Sequence, residues 1–159
     1  MSAELILEHL RGAGRKLMFA ESITGGLLAD AFISIPGASD VVLGSEVTYA
    51  SELKAALLGV DEDVLAEKGA VSAEVAQAMA SGAYAVGLAA ADLKPGQVLA
   101  VATTGNAGPL GDPAGQVFVA LSNGSKKLVR EFQFEGTRTN IRTQTVDAAV
   151  ELIREHLGL

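Results

Sequence analysis

Residues 16–35 read KLMFAESITGGLLADAFISI, and this stretch decides the fold class. Lys16 to Ala20 is a short apolar run of the kind that forms a buried strand. Glu21 to Gly26 turns polar and ends in two glycines, a strand-to-helix connection. Leu27 to Ile35 reads as a helix, which Pro36-Gly37 stops. Strand, turn and helix in that order are the unit from which α/β proteins are built.

The rest of the chain repeats the alternation. Upstream, Leu5, Ile6, Leu10 and Ala13 fall at helical spacing and predict a helix over 3–12. Downstream, Val41 to Tyr49 is β-branched and apolar, a second strand. Ser51 to Leu58 reads as a helix closing at Gly59, and Asp61 to Lys68 as another with acidic residues in its first turn. Ser72 opens a long Ala-rich helix to about Ala90. Gln97 to Ala102 is a strand leading into a Gly-rich loop, Thr103 to Pro109. Gln116–Leu121 and Lys127–Phe134 bracket Asn123-Gly124, a two-residue hairpin signal. The last helix starts after Thr137 and turns Ile141, Val146, Ala149, Val150, Ile153 and Leu157 inward. This order predicts an α/β fold: a three-layer α/β/α sandwich around a mixed, mostly parallel sheet, with one antiparallel hairpin near the C-terminus. One domain, 1–159, is expected.

Composition narrows the function classes. Of 159 residues, 12 are Lys or Arg and 19 Asp or Glu, so the formal charge is 12 − 19 = −7. Hydrophobic residues reach 49% against 19% charged, ample for a buried core. No basic face is clustered for counterion release, so direct nucleic-acid binding is not expected. The absence of Cys excludes disulfides, thiolate metal sites and a Cys nucleophile. The N-terminal segment has no continuous apolar core, so no signal peptide is read there, and no run is long enough to span a membrane. The expectation is a cytoplasmic protein.

In open α/β sheets ligands gather where strands end and helices begin, and three connections here hold that position. In AESITGG (20–26), Ser22 and Thr24 offer hydroxyls beside backbone N–H groups at a helix start, which suits an anion; an N-cap with a tight turn explains the same residues. In YASELK (49–54), Lys54 is either a solvated charge or, if desolvated, a base. Tyr49 either packs or relays a proton. In TTGNAGP (103–109) successive N–H groups form a possible nest for a phosphate or oxyanion. Arg138 and Arg142, one helical turn apart, make an anion clamp or else ion pairs with Glu135 or Asp147.

Other motifs fail. Gly12-Ala13-Gly14 follows a helix and lacks its third glycine, and no Walker sequence is present. His9 and His156 sit in the terminal helices, far apart in sequence, which removes a Ser–His triad and any His-based metal site. Ser51-Glu52-Leu53-Lys54 has the Ser-x-x-Lys form of penicillin-recognising enzymes but none of its companion elements. Without Cys or a usable His, a Ser–Lys pair is the remaining common nucleophile and base.

Five blocks in one order carry a resemblance: AESITGG; VTYASELKAALLGV (47–60); GAVSAEVAQAMASGA (69–83); TTGNAGP with PAGQV (113–117); and GTRTNIRTQTVDAAV (136–150). They resemble the C-terminal domain of the competence/damage-inducible CinA family, the nicotinamide-nucleotide amidase (PncC-type) domain. The resemblance implies hydrolysis of the carboxamide of nicotinamide mononucleotide by a Ser–Lys mechanism, with no cofactor and no metal. Ser22 would be the nucleophile, Lys54 its base, and Tyr49 an assisting hydrogen-bonding group. Thr24, Gly25 and Gly26, or Thr104 and Gly105, would supply oxyanion and phosphate donors, and Arg138 or Arg142 would meet the phosphate. Many relatives add an N-terminal domain, which this chain is too short to hold, so a free-standing amidase domain is expected. A homo-oligomer is expected from the small-faced Ala-rich helix. The sequence departs from the family at Ala50-Ser51, where a Ser/Thr-Asn pair is usual, at Asn106, in the short loop Leu110-Gly111-Asp112, and at Thr137, which replaces Asp. A binding module without turnover is the alternative reading. A third moves the nucleophile to Ser51.

Overall fold

The computed structural model describes residues 2–111 and 113–159; Met1 and Asp112, the last residue of the short loop, lie outside the described residues. The elements follow in the order α1 (Ser2–Gly12), β1 (Lys16–Glu21), α2 (Leu27–Ile33), a single 3-10 turn (Ala38–Asp40), β2 (Val42–Val47), α3 (Ser51–Leu58), α4 (Glu62–Lys68), α5 (Ala73–Ala90), β3 (Val98–Gly105), β4 (Gln116–Ser122), β5 (Lys127–Gln133) and α6 (Arg138–Leu157). The strands form one sheet in the order β2-β1-β3-β4-β5. β2, β1 and β3 pair in parallel, while β4 is antiparallel to both β3 and β5, so only β4 runs against the others.

Alternation along the strands divides the core in two. Leu17 and Phe19 of β1, with Leu99 and Val101 of β3, face α1, α2 and α6. Met18 and Ala20, with Ala100 and Ala102, face α3, α4 and α5. Consecutive residues at the end of β1 therefore point to opposite layers, Glu21 toward α2 and Ser22 toward α3. The Ala-rich α5 spends its small face on the sheet and on α3. A Cβ at Gly82 would run into the Leu58 carbonyl, and one at Gly87 would press on Met18, Leu43 and Val98.

Two sequence expectations shift. The segment predicted to be a loop from Thr103 is strand as far as Gly105, with Thr103, Thr104 and Gly105 paired to Val119, Phe118 and Val117. The hairpin turn has Asn123 as its first residue rather than at its centre: the Asn123 N–H donates to the Lys126 carbonyl, and its side chain accepts from the Ser125 and Lys126 N–H groups. The acidic Asp61 and Ser72 cap α4 and α5 as their positions suggest.

Candidate active site

The C-terminal ends of β1 and β2 meet around Ser22. β1 stops at Glu21, and the chain reverses through Ser22–Gly26. The Ser22 N–H donates to the Thr103 carbonyl, the Gly25 N–H to the Ser22 carbonyl and the Leu27 N–H to the Thr24 carbonyl. Gly25 and Gly26 adopt φ of 56° and 103°, left-handed values that favour glycine, which is why the turn needs both. A Cβ at Gly25 would also sit 3.2 Å from the Arg142 guanidinium.

Lys54 enters from α3. It is 1% exposed, and Ser22 is 7% exposed. Its Nζ lies 3.0 Å from Ser22 Oγ, 2.7 Å from the Thr48 carbonyl oxygen and 3.0 Å from the Tyr49 carbonyl oxygen. No ion pair joins it among the described residues. Burial without a counter-charge lowers its pKa from the ordinary 10.5. As an ammonium it has three donors for these three acceptors. As a neutral amine it donates to the two carbonyls and turns its lone pair toward the Ser22 hydroxyl. This arrangement can withdraw a proton from Ser22.

Glu21, on the other side of the same strand end, was not singled out in the sequence. It is fully buried. Its Oε1 accepts from Thr24 Oγ1 at 2.6 Å and the Leu28 N–H at 2.8 Å; its Oε2 accepts from Ser45 Oγ at 2.7 Å and the Ala29 N–H at 3.2 Å. Thr24 Oγ1, donating to Glu21, accepts in turn from Thr103 Oγ1 at 2.8 Å.

This changes the reading of the turn as an anion site. The N–H groups of Leu27, Leu28 and Ala29 at the start of α2 are all taken, by the Thr24 carbonyl and by Glu21, and the Thr24 hydroxyl is taken too. Among the described residues, the Ile23, Thr24 and Gly26 N–H groups of the turn have no acceptor.

The remaining residues separate. The Arg142 Nε and one Nη donate to the Ile23 and Thr24 carbonyls at 2.9 and 3.1 Å, so this arginine holds the turn from behind. Arg138 is exposed and donates to the Gly108 carbonyl at 2.9 Å and to the Tyr49 hydroxyl at 3.0 Å. Neither pairs with Glu135 or Asp147 among the described residues. Tyr49 accepts from Lys54 through its carbonyl and is itself 64% exposed, its hydroxyl accepting from Arg138. The Thr104 hydroxyl donates to the Ala70 carbonyl, and Gly105 lies in strand β3 against Val117 and Ile23. Thr104 and Gly105 are thus strand rather than loop, and the next N–H, of Asn106, donates to the Gln116 carbonyl. Ser51 is exposed at the start of α3, and none of the Lys54 Nζ contacts is to it. His156 lies at the far end of α6 beside Arg15 and Lys126, where burial foremost and then those two charges lower its pKa.

The family departures fall at the starts of α3 and α6 and in one loop. Ala50 is the N-cap of α3 and offers no side-chain hydrogen bond. Thr137 caps α6 in a reciprocal capping box with Asn140, a role Asp fills equally well. The Asn106 side chain donates to the Leu110 carbonyl and accepts from the Gly108 N–H, bracing the shortened loop.

A model of the CinA C-terminal domain matches residues 1–157. A CinA-like protein of Geobacter metallireducens is 46% identical over 92% of this chain, and one of Thermotoga neapolitana 40% identical over 97%. The chain spans only about a third of these relatives, 35% and 36% of their lengths. Among solved structures, the competence/damage-inducible protein CihA of Agrobacterium tumefaciens superposes with a TM-score of 0.87 at 36% identity, covering 99% of this chain and 94% of that one. A CinA superfamily protein of Enterobacter cloacae gives 0.87 at 26% identity, covering 98% and 90%. The chain belongs to the CinA C-terminal domain family.

Proposed function

We propose that this member of the CinA C-terminal domain family hydrolyses the carboxamide of nicotinamide mononucleotide, releasing ammonia and nicotinate mononucleotide, with Ser22 as nucleophile and Lys54 as base. The observation that carries the reading is the placement of Lys54 Nζ, 3.0 Å from Ser22 Oγ and held by two backbone carbonyls. Burial favours the neutral amine, the form that accepts a proton.

In this mechanism Ser22 Oγ attacks the carboxamide carbon as its proton passes to Lys54 Nζ. The tetrahedral oxyanion is met by N–H groups of the turn, Ile23, Thr24 or Gly26 being those without an internal acceptor. Collapse breaks the C–N bond, and Lys54 returns the proton to the departing nitrogen as ammonia leaves. Water, deprotonated by Lys54, then attacks the acyl-enzyme, freeing the carboxylate and restoring the Ser22 hydroxyl. Arg138, exposed at the mouth and able to exchange the Tyr49 hydroxyl for an anion, meets the phosphate.

The test is ammonia release from nicotinamide mononucleotide by the wild type and by Ser22→Ala, with and without a chelator. Chelator-resistant release that disappears in a folded Ser22→Ala protein is the expected result. No release from the folded wild type would overturn the reading and leave a binding module in its place.

A further inference from the structure

Glu21 is a buried carboxylate with no ion pair among the described residues, and it is placed where it has the most leverage. It is the residue before Ser22, at the last position of β1, and the two point to opposite layers of the sheet. Its four contacts come from three separate pieces of chain: Thr24 in the turn, Leu28 and Ala29 in the first turn of α2, and Ser45 in β2. Every one is a donor to a carboxylate oxygen. Together with the Thr48 N–H, which donates to the Glu21 carbonyl at 2.9 Å, they fix both the main chain and the side chain of the residue from which the turn departs. Arg142, from α6 in the same layer as α2, adds to the enclosure by donating to the Ile23 and Thr24 carbonyls.

We propose that Glu21 is a positioning residue for the nucleophile: by tying Thr24, β2 and the start of α2 to the end of β1, its carboxylate fixes the turn in which the Ser22 hydroxyl faces Lys54. The inference rests on the Ser22–Lys54 reading above. It assigns the acid of the AES block a role in alignment, not in proton transfer, since none of its contacts is to Ser22 Oγ or Lys54 Nζ.

The geometry selects the variant. A glutamine at this position has the same shape but must direct its NH2 toward either the Leu28 or the Ala29 N–H, because each carboxylate oxygen now accepts from one of them. The Thr24 and Ser45 hydroxyls can rotate to accept; a backbone N–H cannot. Whichever way the amide turns, one bond to α2 becomes a donor facing a donor.

The experiment compares the full chain with Glu21→Gln, Ser45→Ala and Ser45→Thr, reading kcat and KM for ammonia release, the thermal melt, and the rate at which a serine-directed fluorophosphonate labels Ser22. Glu21→Gln is expected to lose roughly 10- to 100-fold in kcat and in labelling rate, with KM held within about twofold. Ser45→Ala, which removes one donor to the same carboxylate from a strand outside the turn, loses less in the same direction, and Ser45→Thr recovers the loss. A merely structural role would lower the melt but leave kcat per folded molecule and the labelling rate unchanged. A wild type that works while Glu21→Gln and Ser45→Ala match it per folded molecule overturns this inference alone. A wild type that neither releases ammonia nor takes the probe at Ser22 removes the Ser22–Lys54 reading and this inference with it. If Glu21→Gln does not fold, the Ser45 pair decides.

Discussion

Two charged side chains are buried within one residue of Ser22 or against it, and they are treated in opposite ways. On the α2 side, Glu21 receives four donors, two hydroxyls and two N–H groups at the start of a helix. On the α3 side, Lys54 meets neutral oxygens, those of Ser22, Thr48 and Tyr49, and no opposite charge among the described residues. A carboxylate saturated by donors is held in one place. A lysine stripped of water, with neutral acceptors but no carboxylate against it among the described residues, is pushed toward the neutral amine. The same strand end thus carries a fixed side and a reactive side, and Ser22 lies between them.

The largest expected effect breaks the reactive side. Lys54→Ala should lower ammonia release by at least about a thousandfold, since nucleophile and base act as a unit, while circular dichroism shows a folded protein. Activity near that of the wild type would remove Lys54 as the base.

A smaller effect separates the two arginines. Arg142→Ala takes away the donors to the Ile23 and Thr24 carbonyls and should reduce kcat roughly tenfold with little change in KM. Arg138→Ala removes a group that donates to the Tyr49 hydroxyl and the Gly108 carbonyl and should raise KM for the nucleotide with kcat largely kept. The reverse pattern in steady-state kinetics would exchange their assignments.

The smallest effect concerns the frame alone. Ala50 leaves α3 without a side-chain cap, and Ala50→Ser should raise stability by about 0.5–2 kcal/mol in chemical denaturation. No gain would mean that the cap is not what the family's usual residue supplies at this position.

Much of the frame could be read from the chain because the signals are local. Apolar runs, glycines and a proline mark the ends of β1 and α2, and acidic or hydroxyl caps mark α4 and α5. Thr103 to Gly105 read as loop because their composition is that of one; the pairing with β4 makes them strand, and position 105 is glycine because Val117, Gln116 and Ile23 leave no room for a Cβ. Ser22 and Lys54 are 32 residues apart, and only the resemblance joined them. Glu21 was in plain view, but its partners come from the turn, α2 and β2, and no spacing in the sequence brings Ser45 to it. That Arg142 donates to the Ile23 and Thr24 carbonyls is not legible either, because nothing local reveals that α6 passes beside the turn.

The depressed lysine has a consequence for stability as well as for catalysis. The unfolded chain holds its proton up to the ordinary 10.5, whereas the folded one releases it earlier. The resulting loss of stability is full below the folded pKa and fades as pH rises to 10.5. The decisive measurement is therefore the titration of Lys54 itself, followed by NMR through its side-chain resonances in the folded protein, with Lys54→Ala identifying the signal. The expected midpoint lies below 10.5, matched by a limb of ammonia release that rises with pH as the amine becomes neutral. A Lys54 that titrates at or above 10.5, with activity indifferent to its protonation, would contradict it.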